Sequence, residues 1–173
     1  QPPVKAVDRV RTPVDAFLLA LLEEQGLSFA PDAAPLTLVR RLSFDLIGLP
    51  PSPEQVTEFE GQWKKDPDVA YRELVNRLLQ SPHFGVRWGR HWLDVAGYVD
   101  TIGSDNDAGI IKPAPGVWRY RDYVIAAFNS DKPFDEFLVE QLAGDELVDW
   151  RNTRQYTPEI VATQANIGFG SQK

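Results

Sequence analysis

The sequence predicts an all-α fold of seven or eight helices around a single core, in one domain over residues 1–173. Three observations support this. First, a capping residue followed by proline recurs along the chain, and this pair is typical of a helix start because the cap accepts first-turn N–H groups while proline loses no hydrogen bond there. Second, apolar residues then recur with a period near 3.6. Third, no stretch alternates strictly between apolar and polar residues, as a half-buried strand would.

The predicted helices follow one another through short connections. The cap–proline starts are Thr12-Pro13, Ser52-Pro53, Asp66-Pro67, Ser81-Pro82 and Thr157-Pro158. The apolar periods run from Val14 to Leu22, Leu38 to Ile47, Val56 to Trp63, Tyr71 to Leu79, Trp88 to Val99, Trp118 to Phe128 and Phe134 to Leu142, with a weaker one from Pro158 to about Ile167. Gly26 and Gly48 follow the first two periods, where glycine commonly ends a helix.

One connection is long. Residues 100–116 show no helical period and contain Gly103, Gly109, Pro113, Pro115 and Gly116. We therefore expect an irregular loop at about 100–116, and loops of this length are usually functional or mobile. Residues 150–173 are less regular, and we expect the chain to continue from them into a further domain.

The composition disfavours several classes of function. The net charge is −7 with a pI near 4.8, so the chain repels phosphate backbones and anionic lipid surfaces, and we expect neither nucleic-acid binding nor membrane insertion. The chain has no cysteine, which rules out disulfides, thiolate metal sites and covalent c-type haem attachment within it. We expect no resident cofactor. No apolar run approaches the roughly 20 residues of a membrane-spanning helix.

The fifth helix carries the most unusual pattern. Trp88, Trp92, Val95 and Val99 share a spacing that predicts a core-facing stripe. A polar stripe precedes it by one residue at each position and consists of Arg87, His91, Asp94 and Tyr98. One residue is about 100° of rotation, so the polar stripe would flank the core. Gly85, Gly89 and Gly97 disfavour a helix and would be explained if another backbone or a ligand approaches closely.

The polar stripe has two interpretations. Asp94, three residues after His91, could orient it as a general base or metal ligand, with Arg87 and Tyr98 completing a catalytic site. Alternatively, the four form a partly buried structural network that fixes helix packing. In either case we expect His91 to be at least half buried and hydrogen-bonded to an acidic side chain or a backbone carbonyl.

Two further segments carry candidate binding residues. Asp100, Asp105 and Asp107 offer hard oxygen ligands that suit calcium, although the spacing is not that of an EF-hand. Such residues also dominate ordinary solvated turns. The segment from Trp118 to Tyr123 mixes aromatic and basic residues, which suits either a stacking platform for a sugar or base, or a helix whose rings fill the core.

Several motifs, in order over about residues 10–147, resemble the planctomycete cytochrome-C-associated domain of unknown function. They are Pro13-Val-Asp-Ala-Phe-Leu-Leu-Ala, Leu38-Val-Arg-Arg-Leu-Ser-Phe-Asp-Leu-Ile-Gly-Leu-Pro-Pro-Ser-Pro, Ser81-Pro-His-Phe-Gly-Val-Arg-Trp-Gly-Arg-His-Trp-Leu-Asp-Val-Ala, Trp118-Arg-Tyr-Arg-Asp-Tyr-Val-Ile-Ala-Ala-Phe-Asn, Asp131-Lys-Pro-Phe-Asp and Gln141-Leu-Ala-Gly-Asp. The chain departs from the family pattern at Gly97, where arginine is usual. The resemblance implies an extracytoplasmic, periplasmic or secreted, multidomain protein, often with a c-type cytochrome-like domain, and implies no established reaction.

Two hypotheses for function follow. The first is a non-catalytic helical module that docks a neighbouring domain or subunit, with a c-type cytochrome domain as the partner that the resemblance implies. An acidic surface would suit a cationic partner. The second is an extracellular enzyme that acts on polysaccharide, with its site at the His91/Asp94 helix and the 100–116 loop. Carbohydrate is therefore the other candidate partner, and the sequence alone leaves open whether the chain is an enzyme.

Overall fold

The structure is a computed structural model that describes residues 1–104, 107–149, 151–152, 155 and 157–168. Within these ranges only the backbone is described for 102–104, 107–111 and 164–168. The predicted all-α class is confirmed. The described residues form eight α-helices: α1 (Pro13–Glu24), α2 (Pro35–Ile47), α3 (Pro53–Trp63), α4 (Pro67–Leu79), α5 (Pro82–Val95), α6 (Trp118–Asn129), α7 (Phe134–Ala143) and α8 (Pro158–Gly168). Short 3-10 turns lie at Val7–Arg9 and Gly144–Glu146. No described helix is both long enough and apolar enough to cross a bilayer.

The five predicted cap–proline starts are confirmed. Thr12 and Ser52 form capping boxes with Asp15 and Gln55, in which each cap side chain accepts an N–H and each partner side chain accepts the N–H of the cap. The side chains of Asp66 and Ser81 also accept first-turn N–H groups. Thr157 does the same for the N–H of Ile160 at 3.4 Å. These local bonds explain why the sequence located the helices so well.

The chain forms two compact units, Gln1–Ala34 and Pro35–Lys173. In the first unit, the Glu23 carboxylate accepts the backbone N–H groups of Lys5 and Ala6, which ties the leading segment to α1. Arg9 and Arg11 both pair with Asp32 on the surface. That residues 1–173 constitute one domain stays a prediction.

The second unit has two clusters of buried side chains. One joins α2, α3 and α4 and consists of Val39, Phe59, Ala70, Leu74 and Leu78. The other joins α5 to α8 and consists of Leu93, Tyr120, Tyr123, Val124, Ala127, Phe137 and Ala162. Helix α2 also packs against α5, which connects the two clusters.

The orientation of α5 differs from the prediction. The buried row is Gly85, Gly89 and Leu93, whereas Trp88 is 38% exposed and Val95 is 83% exposed. Val99, past the helix end, is also exposed. The predicted core stripe was therefore wrong for Trp88, Val95 and Val99, whereas Trp92 does pack against the buried cluster and bonds Tyr120 of α6. The face that meets α6 most closely is the row of glycines, which a period of large apolar residues does not reveal.

The glycine row allows α5 and α6 to pack unusually closely. A Cβ atom at Gly85 would overlap the carbonyl oxygen of Ile125, and one at Gly89 would lie 3.3 Å from the side chain of Val124. The expected approach of another backbone is confirmed at these two positions. The Asn129 side chain secures the contact, since its Oδ1 accepts the Gly85 N–H at 2.7 Å and its Nδ2 donates to the Pro82 carbonyl at 3.1 Å. Gly97 has a different role, because it ends α5 with φ +66°.

The connection between α5 and α6 is not irregular throughout. Strands β1 (Thr101–Ser104) and β2 (Asp107–Pro113) pair antiparallel, with Thr101 opposite Pro113 and Ser104 opposite Asp107. The ladder has an irregularity between Ile102 and Ser104. A four-residue strand that contains a glycine and a bulge is too short to show an alternating pattern, which is why the sequence indicated no strand here.

Gly85→Ala tests the close packing of α5 and α6. The added Cβ would overlap the Ile125 backbone and the Asn129 side chain, so we expect a loss of about 1–3 kcal/mol of unfolding free energy in urea titrations. Gly61→Ala is the matched control, because Gly61 lies within α3 and a Cβ there meets nothing within 4 Å. The control should gain about 0.5–1 kcal/mol from alanine's helix propensity. An unchanged or increased stability for Gly85→Ala would show that the two helices do not approach this closely.

Candidate functional site

The structure does not bring the four residues of the predicted polar stripe into one site. Arg87 and His91 lie exposed on α5, with the Arg87 stem against the α2 end at Gly48. Asp94 pairs with Arg90 at 2.9 Å on the surface and not with His91. Tyr98 is half-buried beside Tyr120, with ring centroids 6.1 Å apart. Burial and a nearby negative charge raise the pKa of the Tyr98 hydroxyl, the burial contributing more.

The expected environment of His91 was wrong. The side chain is exposed, and among the described residues it makes no hydrogen bond and contacts the edge of the Trp88 ring at 5.5 Å. The cause is the rotation of α5, which turns the glycine row inward and places His91 on the opposite side. A catalytic role for Arg87, His91, Asp94 or Tyr98 stays a prediction.

The acidic residues of the predicted calcium loop are only partly placed. Asp100 is exposed just before β1. Asp105 lies outside the described residues, and Asp107 begins β2 with its side chain undescribed. Within the described part of the chain, no three histidine, aspartate or glutamate side chains cluster as metal ligands would. Calcium binding stays a prediction.

The predicted stacking segment divides between surface and core. Tyr120 and Tyr123 are buried, whereas Trp118 is exposed with the Arg119 guanidinium 4.9 Å from its ring centroid. Arg121 pairs with the neighbouring Asp122 at 2.8 Å. The interpretation that the rings fill the core holds for the two tyrosines and not for Trp118.

A series of hydrogen-bonded side chains connects α5 to α7 through α6, and no sequence pattern predicted it. Trp92 Nε1 donates to Tyr120 Oη at 2.9 Å, and Tyr120 Oη donates to Gln141 Oε1 at 2.7 Å. Burial raises the pKa of Tyr120, which therefore stays a neutral donor at ordinary pH. These two hydrogen bonds link α5, α6 and α7.

A second polar cluster links α6 to α7 through Glu140. Its carboxylate accepts a hydrogen bond from Tyr123 Oη at 2.6 Å and from Lys132 Nζ at 2.7 and 2.6 Å. The side chains of Lys132 and Glu140 are only 21% and 12% exposed. Lys132 Nζ also lies 5.5 Å from the centre of the Tyr123 ring. Burial first, and then the bond to Glu140, raise the pKa of Tyr123 far above its usual range.

The Glu140 cluster is satisfied by its internal bonds. The carboxylate has three strong hydrogen bonds and a cationic neighbour, and the backbone carbonyl of Glu140 accepts from Thr163 Oγ1 of α8 at 2.9 Å. The carboxylate bonds therefore stabilise the α6–α7 turn, and the backbone bond to Thr163 links α7 to α8. No local pattern predicts the Lys132–Glu140 pair, because Lys132 precedes the start of α7 and Glu140 lies within it.

The first unit presents a different surface, which we call the α1 stripe. It consists of Val14, Phe17, Leu18 and Leu21, each between 50% and 63% exposed. Val14 and Leu18 are four residues apart, as are Phe17 and Leu21, and this spacing places the four side chains on one side of the helix over two turns. Ala16 and Leu19 are the buried residues of α1. The stripe is therefore a contiguous apolar surface, and at its end lies the exposed acid Glu24.

Comparison with known proteins gives one match. A family model described as PSCyt2, a protein of unknown function (DUF1549), matches residues 13–169. No curated protein and no solved structure matches the chain. The match agrees with the domain of unknown function that the motifs resemble, and it extends beyond them to residue 169.

Lys132→Met tests the buried ion pair. It leaves the Glu140 carboxylate without its cation in a largely buried position, so we expect a loss of about 3 kcal/mol in urea unfolding. Arg77→Met is the control, because the Arg77–Glu58 pair has a similar distance of 2.9 Å but is about half exposed. That variant should lose less than about 1 kcal/mol. Equal losses of unfolding free energy for the two variants would contradict the larger contribution of the buried pair.

Tyr123→Phe tests the shifted pKa through the pH dependence of stability. The pKa of Tyr123 is raised in the folded state, so its contribution is complete below the unfolded value of 10.0 and is lost as the pH rises above that value. Above the unfolded pKa this group lowers the free energy of unfolding by up to about 1.4 kcal/mol per pH unit. Tyr123→Phe should remove this slope above about pH 10, where the unfolded tyrosine ionises and the folded one stays protonated. Tyr71→Phe, at an exposed tyrosine, is the hydroxyl-deletion control. If the free energy of unfolding of Tyr123→Phe falls with pH as steeply as that of the wild type, the raised pKa of Tyr123 is contradicted.

Proposed function

The chain belongs to the PSCyt2 family of proteins of unknown function, and we propose that it acts there as a non-catalytic docking module. In this proposal the chain is part of an exported multidomain protein. Its α1 stripe packs against a c-type cytochrome-like domain, which is the kind of neighbour that the sequence resemblance implies.

The α1 stripe is the observation that carries the proposal. Its four large apolar side chains remain at least half exposed, although a side chain such as leucine gains about 1.5–3 kcal/mol from full burial. Contiguous apolar surfaces on soluble domains commonly mark interaction sites. The stripe repeats at the spacing by which one helix packs against another, so its geometry suits a packed domain surface better than a small ligand.

Charge supports a cationic partner. The chain carries −7 overall, and an exposed carboxylate at Glu24 adjoins the stripe. A domain that presents an apolar patch within a basic rim would be steered towards this surface and would bury the stripe. The proposal therefore specifies a haem-containing domain with a basic rim.

The polar stripe of α5 gives less support to a catalytic function. A general base requires positioning, and neither Asp94 nor another described group forms a hydrogen bond with His91. The polar groups around Tyr120 and Glu140 bond one another across helices. The described polar groups are thus arranged more as structural elements than as a reactive site.

Site-specific crosslinking in the source cells tests this proposal. A photoreactive phenylalanine analogue replaces Leu18 in the α1 stripe, and the adducts are analysed by haem staining and mass spectrometry. We expect a haem-containing adduct from position 18, because the partner domain covers the stripe. Leu142 is the matched control, since it is an exposed leucine on α7, outside the stripe.

The control position should give no haem-containing adduct. An adduct from position 18 that lacks haem would contradict the proposed partner. The same haem adduct from both positions would contradict the α1 stripe as the docking surface. Folding of both variants is checked by thermal unfolding, where exposed positions should change stability by less than about 0.5 kcal/mol.

A further inference from the structure

The exposed side of α5 carries a row of rings. Phe84, Trp88 and His91 are separated by four and three residues, which places them on one side of the helix. The ring centroids of Phe84 and Trp88 lie 6.1 Å apart, and those of Trp88 and His91 lie 5.5 Å apart in an edge-on arrangement. Because the glycine row of α5 faces α6, Trp88 and His91 are exposed to solvent, and Phe84 is half-buried beside them.

Trp88 makes its ring contacts within α5 and is partly exposed. The rings that it meets are those of Phe84 and His91. Trp92 of the same helix packs instead on Phe134 and Phe137 of α7. Trp88 is 38% exposed, so part of its indole surface remains for a flat ligand to cover.

The two helices at this surface carry more basic than acidic residues. Helices α2 and α5 pack together and carry four arginines, Arg40, Arg41, Arg87 and Arg90, against two aspartates, Asp45 and Asp94. This helix pair is therefore positively charged within a chain of net charge −7. Arg90 is paired with Asp94, whereas Arg87 has no ion pair among the described residues and lies next to Trp88 in the sequence.

We propose that Trp88, His91 and Arg87 bind an acidic polysaccharide whose pyranose rings carry carboxylates. The apolar C–H face of one pyranose ring stacks on the indole, as flat rings do on exposed aromatic side chains. The Arg87 guanidinium pairs with a carboxylate in the forked geometry that arginine favours. The exposed His91 imidazole hydrogen-bonds a ring hydroxyl group.

The chemistry of this surface distinguishes it from the α1 stripe. The α1 stripe is mainly aliphatic and continuous over two turns, which suits another protein surface. The ring row of α5 is flanked by Arg87, Arg90 and Asp94, so a protein helix seated there would desolvate several charges. A hydroxyl-rich ring keeps those groups hydrogen-bonded. This surface is independent of the proposed docking function.

Affinity electrophoresis in native gels tests the proposal with polygalacturonate as the probe and neutral dextran as the comparison. Salt at about 150 mM screens long-range charge effects. We expect the protein to be retarded by polygalacturonate and not by dextran. Since the whole chain is acidic, general ion exchange would not retain it. Trp88→Ala should weaken retention about tenfold or more, and Arg87→Gln should weaken it as well.

Trp118→Ala is the matched control, because Trp118 is also exposed but its ring lies against Arg119. This variant should bind polygalacturonate as the wild type does. His91→Ala alters an exposed side chain and provides a second test should Trp88→Ala fold poorly. Absence of retardation, equal retardation by dextran, or unchanged binding by Arg87→Gln and His91→Ala would each overturn the proposal.

Discussion

The close approach of α6 to the glycine row of α5 is the constraint on which the rest of the second unit depends. Glycine within a helix costs about 1 kcal/mol relative to alanine, so the cost of Gly85 and Gly89 must be offset by the contacts that they allow. Gly85 allows the Ile125 backbone to approach to a distance that a Cβ would prevent, and Gly89 allows the Val124 side chain to pack close to α5. Asn129 then bonds the first turn of α5 through both ends of its amide. Once this contact is made, the rotation of α5 is determined, and Trp92 and Leu93 turn towards the core while Trp88 and His91 turn towards solvent.

Polar bonds complete what the glycine contact begins. Trp92 reaches Tyr120 and then Gln141, so α5 also determines the position of α7. The Glu140 cluster fixes α7 against α6, and Thr163 extends the same arrangement to α8. A carboxylate and an ammonium that are both largely buried are costly to desolvate and retain their positions only when several hydrogen bonds compensate. Here the Glu140 carboxylate is bonded by Tyr123 of α6 and by Lys132 of the α6–α7 turn, which favours one arrangement of these helices over others.

The parts of this fold that could be predicted from sequence are those determined by local chemistry. Capping residues followed by proline act within four residues, and all five predicted starts are helix starts in the structure. The face that each helix buries depends on its neighbours, and the prediction of the buried face was wrong for α5. Trp88 belongs to an apolar period and yet is exposed, because a pair of glycines offers a closer packing surface than an indole ring does. The short β1–β2 ladder and the Lys132–Glu140 pair also depend on contacts that no local pattern indicates. The predicted site residues were grouped by a helical period that was one residue out of phase with the true packing face.

Helix α5 thus has two different sides, a glycine side that packs against α6 and a ring side where Trp88 and His91 are exposed. Amide hydrogen exchange at Gly85 tests the account most directly, because its N–H donates to Asn129 across the helix contact. If the contact holds, Gly85 should exchange only through global unfolding, with the same opening free energy as the buried Val124 amide. The exposed His83 amide, which is bonded to the Ser81 side chain in the same first turn, should exchange faster. A Gly85 amide that exchanges as fast as that of His83 would contradict the account.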